Sequence, residues 1–234
     1  MKQGLKSCLN RDNRVLTTFE TYELAVRFKP DFQPAPEDIA ALPIKLKSSR
    51  YDMIILTNNA AVDLFLNGKL TVPEQTPLLA ASYHGPLRAG IPPGLSMTGI
   101  ETPATLYMNI RLGCNLLPAN RQITVIAEAS ADVLAWKKML ESKKKEEWAR
   151  GREIRFISGR DYSTAEMLNL VAELPASSLL IFHSWNSFRD KEPQDYFSIL
   201  PRIRRNFPGL ILNRYREMIR RGASGGVMVS GQEQ

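Results

Sequence analysis

The side chains best suited to gripping a small molecule fall into short clusters: Asn58-Asn59, Tyr83-His84, Glu128 with Ser130, His183-Ser184-Trp185-Asn186 and Asn213-Arg214-Tyr215. They supply amides, hydroxyls, aromatic rings, imidazoles, a carboxylate and a guanidinium. A few such groups among apolar walls hold a small polar solute in a cleft. Several have a second reading. Arg214 offers a bidentate fork to a ligand carboxylate, or pairs with a surface acid. Asn58-Asn59 either touches a ligand or caps the helix that follows. Trp185 either contacts a ligand or packs at the interface between lobes. His183 follows an apolar run and reads first as a structural histidine, while His84 sits before Gly85-Pro86 in a turn.

Catalytic chemistry finds little support. No Gly-x-Ser-x-Gly elbow, P-loop or Gly-x-Gly-x-x-Gly occurs. Ser224-Gly225-Gly226 precedes a strand pattern rather than a helix, so it lacks the dipole that holds a phosphate. Cys8 and Cys114 have no adjacent base, and their spacing gives no case for a disulfide. Two cysteines and two histidines, scattered along the chain, are too sparse for a zinc site. The chain is therefore expected to bind rather than turn over its ligand, with no cofactor and no metal. A Rossmann-like transferase is the enzymatic alternative.

The elements that must position these clusters alternate. Apolar runs at Tyr51–Leu56, Leu78–Ser82, Gln122–Ala127, Glu153–Ser158, Leu179–Phe182 and Leu210–Leu212 predict strands covered on both faces. Residues 2–10 read as the tail of a helix and Val15–Glu20 as a short strand. Pro36-Glu37-Asp38 opens a helix that Pro43 is expected to kink or shorten. Further helices are predicted over 60–66, 103–117, 131–150 and 194–206. The second of these carries Leu106, Ile110, Gly113 and Leu117 on one stripe. Ser163-Thr-Ala-Glu166 is a capping box that opens one more.

Strand and helix in alternation predict an α/β fold with parallel sheets and right-handed crossovers. The expected organisation is two Rossmann-like lobes, 1–98 and 99–221, with Met97–Glu101 as the crossing and 222–234 as a closing strand. Every polar cluster then lies just past the carboxyl end of a strand, where open α/β sheets bind ligands. Because the chain opens in a helix, the first lobe is expected to lack a strand, leaving its other strands without a shared partner.

The totals agree with an ordinary folded protein: 234 residues, 44% apolar and 24% charged. No apolar run reaches the roughly 18–20 residues of a membrane span, and no signal-peptide core is visible near Met1. The net charge of +7 gathers in Lys137-Lys138, Lys143-Lys144-Lys145, Arg202-Arg204-Arg205 and Arg220-Arg221, read as solvated helix faces. No nucleic-acid module accompanies them, so nucleic acid is not expected as a partner.

The order of segments resembles one family. Tyr51-Asp-Met-Ile-Ile-Leu-Thr-Asn-Asn-Ala60, Met97-Thr-Gly-Ile-Glu101 with its helix ending in Leu117-Pro118, Gln122–Ala127 and Gly225-Gly-Val-Met-Val-Ser-Gly231 are similar to the ligand-sensing domains of bacterial sensor histidine kinases. These are relatives of the substrate-binding proteins of ABC transporters. The resemblance implies a two-lobed, type I periplasmic-binding-protein-like fold outside the cytoplasm, with a small polar solute held between the lobes. It also implies continuation into a helix after Gln234, tethering to the membrane through flanking segments, and compatibility with a homodimer. A free-standing transporter binding protein is the other reading. Relatives often carry acids where this chain has Asn58-Asn59, and neutral amides suit an uncharged or zwitterionic solute.

Overall fold

A computed structural model describes residues 18–23, 36–83, 91, 96–101, 104–128, 132–190 and 194–228. The described residues form two compact units, one ending at 101 and the other running from 104 to 228. The expected features at 2–10, Cys8, His84 and Ser130 lie outside the described residues. Residues 18–20, expected in a strand, carry no regular structure.

The first unit holds α1 (Pro36–Ser48), β1 (Ile54–Thr57), α2 (Asn58–Leu66), β2 (Leu78–Tyr83) and β3 (Met97–Glu101). Its three strands are parallel in the order β1-β2-β3. β1 pairs directly with β2 from Ile54 opposite Leu78 to Thr57 opposite Ala81, and Leu78 also faces Met97. The strands therefore pair directly and need no shared partner, contrary to expectation. Met97–Glu101 is a full member of this sheet. The core comprises Leu46, Leu56, Val62, Phe65, Leu78 and Ala80, among others. Helix α1 runs through Pro43 unbroken. Proline removes one helical hydrogen bond, but Ile39 and Leu42 before it and Leu46 after it pack on this core.

The second unit contains α3 (Thr105–Leu116), β4 (Gln122–Ala127), α4 (Asp132–Ser142), β5 (Glu153–Ser158), α5 (Thr164–Ala172), β6 (Leu179–Phe182), α6 (Tyr196–Asn206) and β7 (Leu210–Leu212). All four strands are parallel, ordered β5-β4-β6-β7. Alternate residues feed opposite faces. Ile123, Val125, Leu179 and Ile181 join Leu106 and Ile110 of α3. Ile126, Leu180 and Phe182 join Met167 and Val171 of α5 and Ile199 and Ile203 of α6. The fully buried run Leu179–Phe182 is the signature of a central strand covered twice.

Helix α4 stops at Ser142, well short of the expected 150. Glu146 is the cause. Its carboxylate accepts from the Tyr107 hydroxyl at 2.5 Å and Trp148 Nε1 at 2.7 Å, and pairs with Lys143 Nζ at 2.8 Å. These bonds draw the chain into turns and a short 3-10 segment, Glu147–Ala149.

After a 3-10 turn at Arg216–Arg221, residues 224–227 run beside β7. Ser224 N donates to Ile211 O at 2.7 Å, Asn213 N donates to Gly225 O at 2.9 Å, and Leu212 and Gly225 form a parallel bridge. Buried Asn109 of α3 grips Val227 at both ends: Val227 N donates to Oδ1 at 2.8 Å, and Nδ2 donates to Val227 O at 3.0 Å. Gly226 is required here. Its φ is +153°, and a Cβ would stand 2.0 Å from the Asn213 carbonyl oxygen.

Candidate functional site

The adjacent strands β4, β6 and β7 end level with one another, Ile126 facing Phe182 and Ile181 facing Leu212. Their exits deliver Glu128, His183-Ser184 and Asn213-Arg214-Tyr215 to one edge of the second sheet. Tyr196, from the first turn of α6, completes the group. Its ring stacks on Phe182 with centroids 5.4 Å apart and meets Tyr215 edge-on at 6.2 Å. Its hydroxyl donates to His183 O at 3.4 Å and accepts from Asn213 Nδ2 at 3.3 Å. Burial first, and the charge of Glu128 among lesser causes, push the Tyr196 phenol far above its ordinary pKa, while Arg214 acts the other way. The ring therefore stays neutral, with an anion and a cation both within electrostatic reach.

At this edge Ser184 and Arg214 each hold a buried polar atom without a hydrogen-bond partner among the described residues. Ser184 is 5% exposed and its Oγ makes no hydrogen bond. Arg214 lies over the Tyr215 ring at 4.7 Å, and its buried Nε has no acceptor. Native structures nearly always satisfy such groups, by protein, water or ligand.

Other residues of the edge hold it in shape. Asn213 is 1% exposed; Nδ2 donates to the Phe182 carbonyl, and Oδ1 accepts from Tyr215 N at 2.7 Å. His183 N donates to Ile126 O at 2.9 Å, and its ring meets Trp136 edge-on at 4.2 Å. Trp185 is wholly buried in the core, and Nε1 donates to Thr164 Oγ1 at 2.8 Å. Thr164 is bound in turn by Asp190, so Trp185 anchors the start of α5. This burial fits the packing reading of Trp185. Gly159, at the end of β5, lets the segment after Trp185 cross closely, since a Cβ there would stand 1.7 Å from Asn186 O.

The first sheet presents its own carboxyl edge. Asn58 is exposed at φ +65°, a left-handed conformation that asparagine tolerates better than most residues. The helix cap is Thr57, without a side-chain bond, so the asparagines are not the cap. Asn59 is half-buried. Tyr83 is 8% exposed within the core, and its hydroxyl bonds Asp63. Burial raises the pKa of both partners, and the hydrogen bond from Tyr83 partly offsets that rise for Asp63.

The structure thus gathers Glu128, Ser184, Asn213 and Arg214 at one edge and places Asn58, Asn59 and Tyr83 at the other sheet's edge. Sequence reasoning missed Tyr196 and Asn109. The N-cap Asp195 just before Tyr196 was one signal. The other was an amide, Asn109, set between Leu106, Ile110 and Gly113 of the apolar stripe of α3.

The fold consists of two α/β units, each built on a parallel sheet with polar groups beyond its carboxyl edge. Two solved structures are similar to this chain. One, described as an ABC domain in complex with L-Trp from Streptococcus pneumoniae, has a TM-score of 0.60 and 14% identity, over 99% of this chain and 74% of that one. The other is the ligand-free, open structure of a substrate-binding protein with adhesive properties from Clostridium difficile. Its TM-score is 0.57 and its identity 13%, over 86% of this chain and 66% of that one. No family model matches the chain, and no curated protein matches it.

Proposed function

We propose that this chain binds a small polar solute at the carboxyl edges of its strands and releases it unchanged. The observation that carries the reading is the pair of bare buried groups, Ser184 Oγ and Arg214 Nε, just past the adjacent strands β6 and β7. Each unsatisfied group costs about 1–3 kcal/mol, and a ligand acceptor removes that cost. Arg214 takes a ligand carboxylate or similar acceptor. Glu128 favours a positive or hydrogen-bond-donating group, and the Tyr196 and Tyr215 rings offer apolar faces. Asn58, Asn59, Tyr83 and His84 are proposed as contacts from the first sheet. The best fit is a zwitterionic or neutral polar solute, bound without cofactor, metal or catalytic residue.

The proposed setting is extracytoplasmic, as the sensing domain of a membrane-tethered two-component protein. A second reading, delivery of solute to an ABC transporter, gains support from the two similar structures, one described as an ABC domain holding L-Trp and the other as a substrate-binding protein. The test is a thermal-shift panel of amino acids including L-Trp, small carboxylates, sugars, nucleobases and oligopeptides, with mass spectrometry of the recovered ligand. One chemical class that raises the melting temperature and returns intact supports binding; a chemically altered ligand supports the transferase. In cells lacking the chain, loss of ligand uptake points to delivery, and loss of ligand-induced transcription points to sensing.

A further inference from the structure

The amino-terminal edge of the second sheet carries a different chemistry. A surface groove of about 830 Å³ lies there, lined by Arg111, Arg121, Arg150, Arg152, Trp148 and Cys114, among other residues. Arg121 immediately precedes β4, and Arg150 and Arg152 lead into β5. β4 is six residues long, so this groove sits roughly 20 Å from the carboxyl edge at about 3.3 Å per residue.

Its charge is one-sided. Arg152 is a fixed wall: Nε donates to Asn120 O at 3.1 Å, Nη2 donates to Pro118 O at 3.0 Å, and Nη1 donates to the Trp148 carbonyl. Arg111, Arg121 and Arg150 are exposed, and none is ion-paired with a carboxylate among the described residues. Glu146 and Glu147 also line the groove. Glu146 is already taken by Lys143, Tyr107 and Trp148. That leaves Glu147 against the arginines. Guanidinium forks suit carboxylates in particular. Four arginines lining one concavity, with one carboxylate of the lining left to answer them, suit an occupant that brings several carboxylates. A flat headgroup plane would not reach the floor of a concavity.

We propose that this groove is a docking surface for an acidic peptide segment of a partner protein, separate from the solute site. The test uses the whole chain and a fluorescently labelled oligoglutamate peptide, followed by anisotropy over a salt series. Binding at low salt that fades as ionic strength rises is expected. Arg121→Glu combined with Arg150→Glu is expected to weaken it about tenfold or more, given several exposed charge pairs lost or reversed. Both positions are exposed, and an unchanged circular dichroism melt verifies folding. A charge-matched control, Lys138→Glu with Arg205→Glu, should weaken binding much less. Absence of binding at low salt, an equal loss in the control, or tighter binding to phosphatidylglycerol vesicles than to the peptide would each overturn the proposal.

Discussion

At the scale of single residues, the proposed binding rests on side chains that the fold leaves unfinished. Arg214→Ala and Ser184→Ala are each expected to weaken solute binding. A hydrogen bond to a charged group is worth about 1.5–3 kcal/mol, roughly tenfold to a hundredfold in Kd, with less for the serine; titration calorimetry reads both. Truncation that leaves affinity unchanged would remove those residues from the site. Glu146 makes a pH prediction. Its hydrogen bonds to Lys143, Tyr107 and Trp148 lower its pKa from 4.5 to about 2. The folded state therefore prefers the charged form, and the resulting stabilisation is complete above pH 4.5 and lost as pH falls toward 2. Melting temperature should decline through that window, and Glu146→Gln should decline less steeply there. The positions of Ser184 and Arg214 were legible in sequence, because each follows an apolar run that ends abruptly. The inward turn of Asn213 was not, because its partner, the Phe182 carbonyl, is brought to it by packing rather than by spacing.

Elements show the same division between local and long-range causes. The capping box at Ser163 formed as its pattern predicts, with Ser163 N donating to Glu166 Oε2 at 2.7 Å and Glu166 N to Ser163 Oγ at 3.3 Å. Ser163→Ala should cost about 1 kcal/mol, measurable by denaturant titration. The early end of α4 was illegible, because Glu146 is held by Tyr107, a residue of α3 distant in sequence. The course of 224–227 beside β7 likewise depends on Asn109 and on the bare backbone of Gly226. Gly226→Ala would press a methyl group onto the Asn213 carbonyl, and Asn109→Ala would strip both side-chain bonds from Val227. Either change should speed amide hydrogen exchange at Val227. Unchanged exchange in both variants would show that this segment is held by other contacts. Parallel order in both sheets was predictable from alternation alone. Direct pairing of β1 with β2 was not, since alternation does not state which strands are neighbours.

Over the whole molecule, two sheets place the groups proposed to bind solute at carboxyl edges, and the second also carries a basic groove at its amino edge. The net charge of +7 is thus partly a located feature, at Arg111, Arg121 and Arg150, rather than only a solvating coat. Solute binding couples to stability: a ligand at 100 times its Kd adds about 2.7 kcal/mol and raises the melting temperature by several degrees. The most direct measurement is that shift, compared in the wild-type chain and in Arg214→Ala across the panel of solute classes. A solute-binding role predicts one class that stabilises the wild type and stabilises the variant far less. Equal shifts in both proteins, or no shift with any solute while the wild type melts cooperatively, would contradict it.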